Sequence, residues 1–271
     1  VLWFTKSKFD EQDLKWESPW GLGYPGWHIE CSGISIKYLG EHLDIHGGGV
    51  DNIFPHHTNE IAQSEAYFGH KWCNYWFHNE HLNDESGKMS KSHGAILTVS
   101  LLKEKGYNPL SFRYMCLLSH YRRQLTFSYD SLDGAENAYK KLKNKTLALK
   151  FENDINEDEF NHWKKLFTDC LEDDLNTANA ITVLHDLLKS DVSMGTKYKL
   201  IHSFDEVLSL DLLKQEKINF PNEEEIIAKI NLRNEAKKNK DFETADKIRE
   251  ELLKQGIVLK DTREGTIYEA K

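Results

Sequence analysis

Leu43-Asp44-Ile45-His46-Gly47-Gly48-Gly49-Val50-Asp51 is a short β-type run that ends in three glycines and an acidic residue. The elements on its C-terminal side decide the fold. Pro55 suits the first turn of a helix, and helical character runs from there to about Phe68. A second strand is predicted near Tyr75 to Asn79, followed by a hairpin-like stretch from His81 to Gly87. Strand, helix and strand in alternation predict an α/β layer with a parallel sheet. Upstream, residues 1 to about 30 mix aromatics with Pro19, Gly21, Gly23, Pro25 and Gly26. They read as loop with at most one short strand, and helix is predicted to open over Ile34 to Leu39.

Downstream, the pattern changes near Phe112. Leu142, Leu147, Leu149, Phe160, Trp163, Phe167 and Leu171, then Leu184, Leu187 and Leu188, recur at helical spacing. They predict an all-helical bundle to about Leu213. Asn219-Phe220-Pro221-Asn222 reads as a break, Glu223 to Gln255 as helix, and Ile257-Val258-Leu259 with Thr266-Ile267-Tyr268 as a small hairpin. The expected division is 1–125, 126–216 and 217–271. No internal repeat or low-complexity tract interrupts it.

The 271 residues allow two or three domains, and 39% hydrophobic with 11% aromatic content supports a packed core. A net charge of −9 is unlike a typical nucleic-acid binder. Charge is uneven, however: Lys140 to Lys150 holds five lysines, while Asn153 to Glu159 is mostly acidic. That lysine run reads equally as an exposed helix face or as a phosphate-contacting patch. Cys31, Cys73, Cys116 and Cys170 are widely spaced and form no CxxC pair, which fits a reducing cytoplasm better than a disulfide framework. The last three read as packing thiols. No apolar run approaches the ~20 residues of a membrane-spanning helix.

Three constellations carry chemistry. Lys88-Met89-Ser90-Lys91-Ser92, with Gly94 after it, suits a loop that closes on a polyphosphate, because ammonium groups neutralise charge developing on transferring phosphates. His56 and Glu60 fall one helical turn apart and can share a metal, with the Cys31 thiolate as a soft third ligand. An ordinary His–Glu pair beside a buried Cys is the plainer alternative. The triple glycine would let a nucleotide approach the backbone, and Asp51 could bond ribose hydroxyls. A zinc peptidase is poorly supported. HExxH is absent, and His57-Thr58-Asn59-Glu60 meets Ile61 where H-x-x-E-H needs its last histidine.

Gly26-Trp27-His28-Ile29-Glu30-Cys31-Ser32, His46 through Asp51, Phe54-Pro55-His56-His57 with Asn59-Glu60, and the lysine-serine loop stand in an order and spacing that resembles the cysteinyl-tRNA synthetases. Leu118-Ser119-His120-Tyr121-Arg122 fits too, although a glycine often stands in that family where this chain has Ser119. The runs Ala236-Lys237-Lys238 to Asp241, Ala245 to Arg249, Gly256-Ile257 and Gly265-Thr266 extend the likeness over nearly the whole chain.

The resemblance implies a fold of three parts. The second half of a Rossmann-like class I catalytic domain comes first, then an anticodon-binding helical bundle, then a small α+β anticodon-recognition module. It implies one zinc ion per chain, on Cys31, His56 and Glu60, that binds the thiolate of substrate L-cysteine. Soft thiolate suits zinc better than a serine hydroxyl. Trp27 and His46 would shape the amino-acid pocket. His46, Gly48, Gly49 and Asp51, with Lys88, Met89, Ser90, Lys91 and Ser92, would hold ATP and its Mg2+. Lys88 and Lys91 would be catalytic, Lys91 above all. Cysteinyl-adenylate would form first and tRNA(Cys) would accept the cysteine second, in a cytoplasmic monomer with no membrane partner.

The His-x-Gly-His signature and a further zinc-ligating cysteine belong to an N-terminal half of the family and do not occur here. The chain thus reads as the back portion of a longer protein, and residues 1–271 alone are not expected to activate cysteine. A ligase that passes the same cysteinyl group to an amino sugar is one alternative, which residues 223–271 disfavour. A zinc-containing RNA-binding paralogue without turnover is another. Arg122 and Arg123 could contact the tRNA acceptor arm or bridge domains, and the sequence leaves both open.

Overall fold

The computed structural model describes residues 2–6, 14–84, 87–88, 97–215, 223–262 and 265–270. They form two compact units, residues 1–213 and 214–271.

In the first unit, strands β1 (Trp3–Phe4) and β2 (Tyr24–Pro25) pair antiparallel ahead of helix α1 (Trp27–Leu39). The helix starts seven residues before the Ile34 expected from apolar spacing. Gly26, in extended backbone, marks the true start, and the polar stretch His28 to Ser32 disguised a helix whose inner face is itself polar. Strand β3 (Leu43–Gly49) takes in all three glycines and pairs parallel with β4 (Cys73–Asn79). Between them, a tight helical turn over Ile53–His57, entered through extended Phe54, leads into α2 (Thr58–Phe68). Helix α2 stops at Gly69, whose φ of 74° accommodates the left-handed C-cap. Leu43, Trp72 and Cys73, with Phe68 and Trp76, make a small core at this layer's far end. The parallel pairing and the strand–helix–strand order are as expected.

Strand β5 (Leu82–Asp84) pairs antiparallel with β6 (Gly87–Lys88) and parallel with β7 (Leu125–Thr126). Helices α3 (Val99–Glu104) and α4 (Pro109–Leu117) lie between them in sequence. The bundle continues with α5 (Tyr129–Leu147), α6 (Glu157–Glu172), α7 (Thr177–Lys189) and α8 (Met194–Leu208). Each start is written locally. Asn108, Ser128, Asn156, Asn176 and Ser193 accept hydrogen bonds from first-turn amides of the helices they precede. Tyr139, Leu142, Phe167, Leu184, Leu187, Leu200 and Phe204 fill one continuous core, with Phe167 and Phe204 stacked at 4.0 Å.

A strap over Leu208–Leu212 closes the bundle. Arg113 Nε donates to the Leu208 carbonyl at 2.6 Å, Tyr139 Oη to Leu210 at 2.7 Å, and Thr146 Oγ1 to Leu212 at 2.6 Å. Asp205 accepts from the amides of Leu210 and Leu212, both at 2.7 Å. The lysine run on and just after α5 divides: Lys140, Lys141, Lys145 and Lys150 are exposed, whereas Lys143 is buried against the Tyr139 ring. The expected break at Asn219–Asn222 lies outside the described residues.

In the second unit, the single helical stretch expected over Glu223 to Gln255 is two helices, α9 (Glu223–Lys238) and α10 (Phe242–Lys254). Lys240 takes a left-handed φ of 62°, and the Asp241 side chain caps the new helix by accepting from Thr244 N. That capping side chain was the missed signal. Strands β8 (Ile257–Thr262) and β9 (Gly265–Ala270) form the expected hairpin. Ile226, Ile230, Leu252, Ile257 and Leu259 make a separate core.

Buried Arg233 grips Asp261 through two hydrogen bonds of 2.9 Å, and Lys237 adds a third. Those partners hold the Asp261 carboxyl far below its usual range, the Arg233 hydrogen bonds most of all. A depressed carboxylate stabilises the fold above its unfolded pKa and loses that contribution as pH falls below it. Asp261→Asn strands a buried guanidinium, so it should cost about 2 kcal/mol, discounted because Asp261 is half exposed. Urea titration at pH 7 and pH 3 checks this: the deficit should shrink at the lower pH, and an equal deficit at both rules out the charge pairing.

Candidate functional site

The site forms where β3 and β4 end, against the first turn of α2 and the buried face of α1. Open α/β sheets bind ligands outside the carboxyl ends of their strands. Glu60, on α2, is fully buried. Its Oε2 lies 3.0 Å from His46 Nε2 on β3, and its Oε1 lies 2.8 Å from His56 Nε2 in the preceding turn. The second contact is out of line for a hydrogen bond, and Glu60 Oε1 and His56 Nδ1 are buried without a hydrogen-bond partner among the described residues. Such orphans are costly. Cys31, on α1, presents its sulfur to the same place, and the ligand atoms of Cys31, His56 and Glu60 lie within 4.8 Å of one another. His46, His57 and Glu60 form a second cluster of that kind, sharing the carboxylate.

Burial dominates the electrostatics. It pushes the Glu60 carboxyl up to about 7 and pulls the His57 imidazole down to about 4, aided by His46, His78 and His56. His46 and His56 are lowered chiefly by burial as well. The Cys31 thiol is raised by burial, then by Glu60 and Glu30. Burial thus disfavours the charged form of each of these imidazoles, of the Glu60 carboxyl and of the Cys31 thiol. A divalent ion would reverse the Glu60 and Cys31 shifts.

Supporting residues fix this geometry. Gln63 Nε2 donates to the His28 carbonyl at 2.7 Å and to Ser32 Oγ at 2.5 Å, and Ser64 Oγ bonds Ser32 Oγ at 3.2 Å. These bonds sew α1 to α2 and so hold Cys31 opposite Glu60. Trp27, 57% exposed, stacks on the His56 imidazole at 3.7 Å. His57 Nδ1 shares a proton with His78 Nε2 across 2.7 Å, tying the turn to β4. At Gly48 a Cβ would lie 2.8 Å from Asn52 Nδ2 and 2.9 Å from His57 Cε1, so the strand must be bare there for His57 to enter.

A family profile described as "tRNA synthetases class I (C) catalytic domain" matches residues 1–137, half of the chain. The chain belongs to this class I synthetase family. A DALR domain profile matches residues 166–190, on α6 and α7. The cysteine–tRNA ligase of Borreliella burgdorferi is 42% identical over 98% of this chain and 59% of its own length. That of Treponema denticola is 40% identical over 96% and 59%, and that of Brachyspira hyodysenteriae 39% identical over 100% and 61%. The chain therefore spans about three-fifths of the length of these relatives. Among solved structures, LeuRS of Agrobacterium radiobacter, crystallised in a ternary complex with tRNA and LeuAMS, has a similar fold. Its TM-score is 0.50 and its identity 13%, covering 77% of this chain and 34% of that one. The class I catalytic fragment followed by a helical bundle is thus the fold expected from the sequence.

In this synthetase chain, Cys31, His56, Glu60, His46 and Trp27 come together as one cluster. Asp51 lies just beyond β3, half exposed, with His81 Nε2 4.0 Å from its Oδ1. Gly49 approaches Asp51, whose Oδ1 would lie 2.5 Å from an added Cβ. Met89, Ser90, Lys91 and Ser92 lie outside the described residues, and of Lys88 the backbone pairing with Asn83 is described. Sequence reading missed His28, Gln63, Ser32, Ser64 and His78. Only His28 and Ser32 carried a signal, through the run Trp27 to Ser32. The others matter through partners 21 to 35 residues away, which no local pattern reports.

Proposed function

We propose that this chain supplies the cysteine-selecting and tRNA-facing parts of an enzyme that ligates L-cysteine to tRNA(Cys) through cysteinyl-adenylate. The observation that carries the reading is the convergence of Cys31, His56 and Glu60 within 4.8 Å around a buried carboxylate with orphaned polar neighbours. The donor set fits zinc: one soft sulfur, one imidazole already held neutral, and one carboxylate. When bound there, zinc supplies a soft Lewis acid that favours the thiolate of cysteine over the hydroxyl of serine. Glu60 fixes His46 at the pocket floor, Trp27 stacks on His56 and walls the open side, and the α1–α2 hydrogen bonds keep Cys31 in place.

Activation proceeds by attack of the cysteine carboxylate on the α-phosphate of ATP, brought in with Mg2+, and loss of pyrophosphate. Gly48, Gly49 and Asp51 line the nucleotide side, as does His46. Lys88 and Lys91, within the Lys88–Ser92 sequence motif, neutralise the leaving group. A terminal ribose hydroxyl of tRNA then takes the cysteinyl group, releasing AMP. The proposed division of labour is catalytic for 1–125, tRNA-binding for 126–216 and anticodon-reading for 217–271. The enzyme works as a cytoplasmic monomer, where its cysteines stay free thiols. No helix of the described residues is long and apolar enough to cross a membrane.

The test is cysteine-dependent exchange of pyrophosphate into ATP by the full-length protein carrying these residues, with serine as control and tRNA charging in parallel. Exchange with cysteine alone, plus charging, is the expected outcome. Exchange without charging would point to the amino-sugar ligase, and no exchange would leave the RNA-binding paralogue.

A further inference from the structure

The turn between α6 and α7 is held in an unfavourable backbone. Asp174 and Leu175 are consecutive non-glycine residues with φ of 51° and 57°, and left-handed backbone penalises both. The Asp174 carboxylate is aimed at the segment after α4. It accepts from Tyr121 Oη at 2.5 Å and from Arg122 Nε at 2.5 Å, with Arg122 Nη2 at 3.4 Å and His120 Nε2 at 3.9 Å. Thr177 Oγ1 adds a bond to the Leu117 carbonyl at 2.8 Å. The Asp174 and Arg122 side chains are 47% and 62% exposed. An ion pair that open to water adds little stability, and the left-handed turn is closed by the backbone bonds that end α6, Leu175 N to the Leu171 carbonyl and Asn176 N to the Cys170 carbonyl, both at 3.0 Å. The side-chain clamp is therefore not what closes the turn.

The clamp leads back to the site through the residues it holds. The Tyr121 ring stacks on Phe77 of β4 at 4.3 Å, and the Tyr121 carbonyl accepts from Glu80 N at 2.8 Å, just past the end of that strand. The neighbour of Phe77 is His78, which bonds His57 beside the Glu60 cluster. We propose that Asp174 is a positioning residue that couples the helical bundle to the C-terminal end of β4, where His78 bonds His57 beside the Glu60 cluster, so that tRNA engaged by the bundle is registered with the aminoacyl site. This rests on the reading of the chain as part of a cysteine–tRNA ligase and assigns a coupling element within it. The role of Asp174 is exerted through Tyr121.

The experiment uses the full-length protein and two readouts, cysteine-dependent pyrophosphate exchange and tRNA charging. Asp174→Ala should lower the charging rate about tenfold, within the usual range of coupling between sites. Exchange should stay within about twofold, and charging by the reversed pair, Asp174→Arg with Arg122→Asp, should recover in part. Tyr121→Phe keeps the ring on Phe77 and removes only the hydroxyl, so it carries the same test should Asp174→Ala fold poorly. It should lower charging in the parent and add nothing in the Asp174→Ala background. Parallel loss of exchange and charging would mean that the clamp merely supports the fold, and unchanged charging would mean that it couples nothing. Either overturns the proposal while exchange by the parent leaves the ligase reading standing. Absence of exchange in the parent overturns both.

Discussion

Glu60→Gln is expected to lower cysteine-dependent activation at least ~100-fold, the scale of losing a metal ligand or its essential charge, and yet to leave the metal-free protein no less stable. Both halves rest on where Glu60 sits. Its carboxylate is fully buried between His46 and His56, so with the Cys31 thiolate it brings the negative charge that a cation there would need. Glutamine keeps the shape and an oxygen for His46 but loses that charge. Without a cation the charge is a liability, since burial raises the Glu60 pKa from 4.5 to about 7. A carboxylate raised in the folded state gives full stability below its unfolded pKa and loses it as pH rises through the folded value. Chelator-treated parent should therefore weaken between pH 4.5 and 7, by roughly 3 kcal/mol at most for a shift of this size. His57 works in the opposite sense, losing stability as pH falls from 6.5 toward 4. Urea midpoints for parent and variant at pH 5 and pH 8 separate the two. The variant should gain on the parent at pH 8, and identical pH profiles would count against a buried, ionising Glu60.

Phe204→Ala should be the most damaging core substitution, at about 4 kcal/mol, as for other buried phenylalanines truncated in tight cores. Phe204 is fully buried and stacks almost parallel on Phe167, joining α8 to α6 at the centre of the bundle. A loss of that size is a large part of a domain's typical margin of ~5–15 kcal/mol. The second unit has its own core around Ile226 and Leu252. The effect should therefore fall on one unfolding transition and spare that of residues 214–271. A shift below about 1.5 kcal/mol would mean that the site collapses to fill the gap. Equal shifts in both transitions would mean that the units unfold together.

The sequence was most legible where chemistry and period coincide. His56 and Glu60, four apart, could meet only if the segment were helical, and they do. The parallel pair β3–β4 was legible from glycine-ended and aromatic strands flanking a helix. Helix α1 was half hidden because its buried positions are His28 and Ser32, which apolar spacing does not register. The split of α9 from α10 turns on one left-handed lysine and one capping aspartate, both weak signals in a charged run. The bonds of Gln63 to Ser32, His57 to His78 and Asp174 to Tyr121 are set by tertiary approach and leave no periodic trace. Arg122, for which sequence left two roles open, bonds Asp174 in the turn between α6 and α7.

The strap over Leu208–Leu212 bears on how the chain can vary in length. Its side-chain anchors Arg113, Tyr139 and Thr146 are separated from their carbonyl partners by 95, 71 and 66 residues. The entropy of closing so long a segment grows only as the logarithm of its length, about 0.6 kcal/mol for each doubling. Extra residues in the connection between α5 and α6 would hardly loosen the clasp. The bundle can therefore be lengthened at that surface connection while the end of α8 stays where it is.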